Sequence, residues 1–234
     1  MKNVMMALVL TFALASSAGC SAKPIAAGGG PGVAKATVSA QPQTASLKEI
    51  PLHADYAVRY ESIASLVASS GLVVHGEVQS VDYVDFNTVT YSRVKVKVLR
   101  AFGAKDKPSP GSTIIVAEPG GVTTVGALSR YTEFKQGEPT ATAGEPASTK
   151  VQVLFDGMPL AKPGDQVLYF LAPGTLGVVS EPYYDVVGAS QGKFFVSGGV
   201  AQRHVASWES GAMKSLSTAL PALLGEVTRE AATK

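Results

Sequence analysis

The chain has 234 residues, 46% of them hydrophobic and only 16% charged, so it carries ample core-forming material and is too apolar for a disordered regulator. Twenty basic and 18 acidic side chains leave a net charge of +2, far from the basic field of a dedicated nucleic-acid binder. The single cysteine excludes an intramolecular disulfide framework, a cysteine-rich zinc site and an iron–sulfur cluster.

At the N-terminus, Lys2 and the α-amine supply positive charge ahead of an apolar run from Val4 to Leu14, small residues from Ala15 to Gly19, and Cys20. This is a secretory signal pattern over residues 1–19. As a helix the apolar run would reach only about 16 Å, roughly half of a bilayer's hydrocarbon core, so it reads as a cleaved leader rather than a membrane span. Ser17, Ala18, Gly19 and Cys20 resemble a bacterial lipobox, with Ser17 standing where leucine is commonest. The resemblance implies a thioether-linked diacylglyceryl group on Cys20, which becomes the mature N-terminus and anchors the chain to an extracytoplasmic membrane face. Ser21 in the next position implies outer-membrane sorting if the cell has two membranes. The alternative is ordinary cleavage after Ala18, which would leave a secreted protein with a free thiol.

From Ser21 to Ser46 the chain is rich in Ala, Gly, Ser, Pro and Thr without helical or strand period. Residues 20–46 therefore read as a lipidated cysteine and a flexible tether spanning about 25 to 30 Å. Residues 47–234 fit one domain.

Within that domain, Tyr60, Ile63, Ala64 and Val67 recur at helical spacing, with Asp55 as cap and Gly71 as stop. Strands are predicted at about Leu72 to Val81, Val89 to Leu99, Thr113 to Ala117, Val151 to Phe155, Gln166 to Leu171, Val178 to Val187 and Lys193 to Val196. Leu216, Leu220, Leu223, Leu224 and Val227 form a second helical stripe, with Thr218 as cap and Pro221 in the first turn. The domain is mostly β, with helices at both ends.

Alternation sets one register. Val94, Val96 and Val98 alternate with Arg93, Lys95 and Lys97, and Val74, Gly76 and Val78 with His75, Glu77 and Gln79. A hairpin turning near Phe86 and Asn87 would set Val78 against Val94 and Glu77 against Lys95. Residues 121–150 show no sustained period and read as a long loop, either a mobile insertion or a recognition loop carrying Arg130, Tyr131 and Phe134.

The helix ending before Gly71, the segment Leu72-Val73-Val74-His75-Gly76-Glu77-Val78, the closing Val96-Lys97-Val98-Leu99-Arg100, and Gly164 to Leu171 together resemble netrin-like modules and tissue inhibitors of metalloproteinases. They are also similar to a loose set of uncharacterised bacterial lipoproteins. The resemblance implies an OB-like five-stranded β-barrel with flanking N- and C-terminal helices. Those inhibitors set a disulfide-bonded N-terminal cysteine on a catalytic zinc, whereas Cys20 would be lipidated and far from the domain, so no inhibitory residue carries over.

Gly188-Ala189-Ser190-Gln191-Gly192 matches the G-x-S-x-G nucleophile elbow literally. An elbow needs a strand before and a helix after, but Lys193 to Val196 reads as a strand, so the motif reads as a hairpin loop. His204 follows with no acid between to complete the order of that hydrolase family. His75 and Glu77 share a strand face, and His53 and His204 are distant in sequence; solvated strand residues are the expectation, with no metal or cofactor. Asp82, Asp85 and Asn87 fit turn chemistry rather than Ca²⁺ ligation.

Arg93, Lys95 and Lys97 make a basic stripe without interleaved aromatics, which reads as a solvated face and not as a nucleic-acid surface. Tyr183 and Tyr184 point to opposite strand faces, and with Trp208 they are candidates for a sugar or protein contact. Glu118-Pro119-Gly120-Gly121 is the candidate rigid exposed loop for a protease regulator. The sequence thus predicts an envelope-anchored lipoprotein acting as a non-catalytic binding module, toward an envelope protein or polysaccharide. Regulation of an envelope protease is the first alternative, and a secreted hydrolase the second.

Overall fold

The computed structural model describes residues 47–52, 58–103, 106–132, 144–204 and 217–233, without the side chains of 130–132. Cys20, the leader and the tether lie outside the described residues, as do His53, Asp55, Phe134 and Trp208. Residues Ala45–Lys234 form one compact unit.

The unit opens with β1 (Lys48–Leu52) and α1 (Ile63–Ser69). The cap of α1 is Ser62 rather than Asp55, and Tyr60 lies outside the helix. Ser62 Oγ accepts from the Ser65 amide at 3.1 Å and Ser65 Oγ from the Ser62 amide at 3.2 Å, so two orphan donors are satisfied reciprocally.

β2 (Leu72–Phe86) and β3 (Val89–Gly103) form a long hairpin, followed by β4 (Thr113–Pro119), β5 (Gly121–Thr124) and α2 (Val125–Thr132). The expected loop over 121–150 is therefore structured in its first part. The hairpin turns on Asn87 and Thr88, both with positive φ (46° and 71°), which matches the twist of the flanking strands. The predicted register is corrected: Val78 opposes Val96, not Val94, and Glu77 opposes Lys97, not Lys95. Two irregularities, between His75 and Gly76 and between Val78 and Ser80, add a residue to one strand or the other. Because the slip of Val78 and Glu77 is by two residues, every side chain keeps its predicted face.

Next come β6 (Lys150–Phe155), β7 (Gln166–Pro173), β8 (Tyr184–Val186), β9 (Lys193–Ser197), β10 (Val200–Arg203), β11 (Ser217–Ala219) and α3 (Leu220–Ala231). The strand expected over Val178 to Val187 shrinks to β8. Thr218 is a residue of β11, and the N-cap of α3 is Ala219, which makes no side-chain cap bond.

The domain is mostly β, with few helices. The order β1-β6-β5 makes a small sheet, and β11-β10-β9-β7-β2-β3-β4-β8 a large one. Since β8 pairs with both β4 and β7, the strands β2, β3, β4, β8 and β7 close into a ring. One apolar cluster draws on all five, including Val74, Val96, Val116, Val167, Tyr169 and Val186. A second cluster lies on the opposite side of β7, where Phe170, Leu168 and Phe194 meet Leu66 of α1 and Leu223 of α3. β7 is buried on both faces, Val167 through Leu171 having no exposed surface, which is why its sequence is a continuous apolar run.

Candidate functional site

The most tightly built polar cluster joins three strands. Glu118 comes from β4, Tyr169 from β7 and Lys193 from the first position of β9, where it pairs with Tyr169 in the register. Lys193 Nζ donates to Glu118 Oε2 at 2.7 Å and to the Pro159 carbonyl at 3.2 Å, and stands 4.7 Å from the centre of the Phe195 ring. The Tyr169 hydroxyl donates to Glu118 Oε1. Lys193 and Glu118 expose only 2% and 6% of their side chains, so the pair is desolvated and held by its own hydrogen bonds. Burial and the Glu118 carboxylate push the Tyr169 phenol well above its ordinary value, keeping it a donor.

Above this cluster lies the Gly188 to Gly192 turn. It is not a hairpin: β8 and β9 both run antiparallel to β7 along the same edge, so the turn is a detour within one strand direction. The Val187 amide donates to the Phe170 carbonyl at 2.9 Å and the Phe170 amide to Gly192 at 2.8 Å, closing the detour on β7. Gln191 then fixes it from within. Its amide nitrogen donates to the Val58 carbonyl at 3.1 Å, its side-chain oxygen accepts from the Tyr60 amide at 2.8 Å, and its own carbonyl accepts from Arg203 Nε at 3.0 Å. No helix follows Ser190, which lacks the geometry of a nucleophile elbow. Ser190 and Lys193 share the wall of a small cavity with Glu118 and Met158, with room for about one water molecule.

The other predicted residues are dispersed. Tyr183 is buried and its hydroxyl accepts from the Leu176 amide at 3.0 Å, so it braces the 176–183 loop instead of offering a contact surface. Tyr184 is half-buried against the ring cluster. Tyr131 falls in α2, outside the described side chains. Arg93 pairs with Asp82 at 3.1 Å and with Glu181, while Lys95 is half-exposed and Lys97 exposed. Glu118 is corrected from an exposed loop to a buried strand residue, 5% exposed. Asp82 and Asp85 are corrected from turn to strand residues: both lie in β2, and Asp85 accepts across strands from Thr90 of β3 at 2.7 Å and Thr123 of β5 at 2.9 Å.

His75 faces Arg100 across the hairpin and Leu168 on β7. Burial, opposed by a hydrogen bond to Gln166 and aided by the Arg100 charge, holds the imidazole below its ordinary value. His204 Nε2 lies 3.2 Å from the Asp156 carbonyl. Among the described residues no group of three or more His, Cys, Asp or Glu could hold a metal ion, and no helix is long and apolar enough to cross a membrane.

Sequence reasoning missed Tyr169 and Lys193 as partners of Glu118. The only signal was a lysine opening an apolar strand, Lys193-Phe194-Phe195-Val196, where a cation needs a counter-charge. No family model, no curated protein and no solved structure matches the chain.

Proposed function

We propose that this chain is an envelope-anchored bacterial lipoprotein, tethered through Cys20, whose β domain is a non-catalytic binding module of OB-like design. The carrying observation is the position of the chain's single cysteine, directly after the apolar run and the small residues Ala15 to Gly19. Two or three acyl chains on Cys20 would anchor it stably. The OB-like reading is supported by the ring itself. Numbered from β2, its strands follow the order first, second, third, fifth, fourth and back to the first, with β4 and β8 parallel and the other pairs antiparallel. The netrin-like resemblance draws on three of these five strands, β2, β3 and β7, and on the helix before Gly71.

A structural role suits the Glu118 cluster, since both carboxylate oxygens and the ammonium of Lys193 are already engaged. The protease-regulator alternative loses its candidate loop with the burial of Glu118. The partner class is an envelope protein or polysaccharide.

Cys20→Ser should release the protein from the membrane fraction and abolish lipid labelling; unchanged fractionation would overturn the anchor. Cross-linking in intact envelopes should recover one specific protein, or the full chain should be retained on peptidoglycan. Retention of neither would overturn the binding role.

A further inference from the structure

α3 packs on the outer face of the ring, where Leu223, Leu224 and Val227 join a core built from Leu66 of α1, Val73 of β2, Phe102 of β3 and Phe170 of β7. Its first residue donates its amide to the Gly199 carbonyl at 2.8 Å, and beyond that no backbone bond among the described residues ties α3 to the strands. The strands beneath are laced by their ladders, whereas α3 starts without a side-chain cap. It is therefore the element of this face that lifts at least cost.

His75 stands at the margin of the same core. It lies two residues from Val73 on one face of β2, opposite Arg100 of β3 and Leu168 of β7. Gln166 hydrogen-bonds the ring, but Nε2 is buried and has no partner. Arg100 leans over the Phe102 ring at 4.9 Å, and among the described residues no carboxylate forms an ion pair with it or with His75. The other elements supply no counter-charge. Glu77, next along this face of β2, opposes Lys97 in the register, and β7 offers the neutral Leu168 and Gln166. α1 contains no charged residue. On α3 the side toward Arg100 carries Pro221, Leu224, Gly225 and Thr228; at about 100° per residue Glu226 and Glu230 turn away from it, and Arg229 adds only positive charge. A proton on His75 would thus set a second cation beside a guanidinium and leave a buried N–H at Nε2 without an acceptor.

We propose that α3 is an acid-released helix: protonation of His75 beside Arg100 lifts α3 from β2 and β3 and uncovers the apolar face formed by Leu66, Val73 and Phe102. Burial, aided by Arg100 and opposed by the Gln166 hydrogen bond, holds the docked imidazole below its ordinary 6.5, and lifting α3 restores that value. The open form therefore binds the proton more readily. Docking is favoured in full above pH 6.5 and loses ground as the pH falls below it. The device operates whatever the domain binds.

Amide hydrogen exchange of the full chain at pH 7.5 and pH 5.0, corrected for the intrinsic effect of pH, tests it. The open population of α3 should rise about five- to tenfold at pH 5.0 while β2 and β3 keep their protection. His75→Leu should remove the rise, and Arg100→Gln, at an exposed position outside the core, should reduce it. An NMR titration of the parent protein should place the His75 midpoint below 6.5. A midpoint above that value, a rise shared equally by α3 and the hairpin, or a rise unchanged in both variants would overturn the proposal. Should His75→Leu fail to fold, an undiminished rise in Arg100→Gln overturns it alone.

Discussion

Lys193 carries an ammonium into the interior because Glu118, 75 residues earlier, supplies the counter-charge and Pro159 a carbonyl. Removing one member leaves an uncompensated buried charge. Glu118→Gln and Lys193→Met should therefore each cost about 3–5 kcal/mol in denaturant unfolding. The double replacement Glu118→Leu with Lys193→Met should recover part of that loss, since two apolar groups need no partner while the buried Tyr169 hydroxyl loses its acceptor. Additive losses would mean that the two side chains act independently. The cluster was hidden in the sequence for a physical reason: three separate strands supply it, and a pairing over such distances leaves no local spacing to read. The expectation for Cys20 stands at the other extreme, because the lipobox resemblance is carried by four consecutive residues of the chain.

At the scale of elements, alternation gave the buried face of β2 and β3 but not their register. Gln79 and Leu99, which fall at the two irregularities, are ordinary side chains that do not announce a bulge. Gly76 is better placed to report on the pairing. A Cβ there would meet Val96 Cγ1 at 2.4 Å and the Lys97 carbonyl at 2.8 Å, so the strands close over it. Gly76→Ala should cost about 1–3 kcal/mol, and Val96→Asp should unfold the domain outright. Lys95→Ala should stay within about 0.5 kcal/mol of the parent. Comparable thermal shifts for all three would refute the assignment of buried and exposed faces. The first and last helices were legible in position but not in their caps. The box on α1 uses Ser62 and Ser65, and α3 starts from an alanine that no propensity rule selects. In α2, eight residues with Val125 and Leu128 buried carry too few apolar repeats for periodicity to find.

For the whole molecule, the expectation of a leader, a tether and one domain rests on composition, while ring closure depends on contacts between distant strands. Deleting Ser21 to Thr44 should leave the thermal midpoint of the domain unchanged by scanning calorimetry. A fall of about 2–4 °C, near 1 kcal/mol for a domain of this size, would mean that the tether contributes to folding. The ring is not equally strong around its circumference. Along β2 and β3 fourteen register pairs hold it, whereas β8 meets β4 through two pairs and β7 through three. Thermal breathing therefore starts at that short seam, where opening costs a small fraction of the free energy of global unfolding. Solvent would enter through this gap and reach the valine interior while the long hairpin is still zipped, making the molecule a band with a built-in clasp.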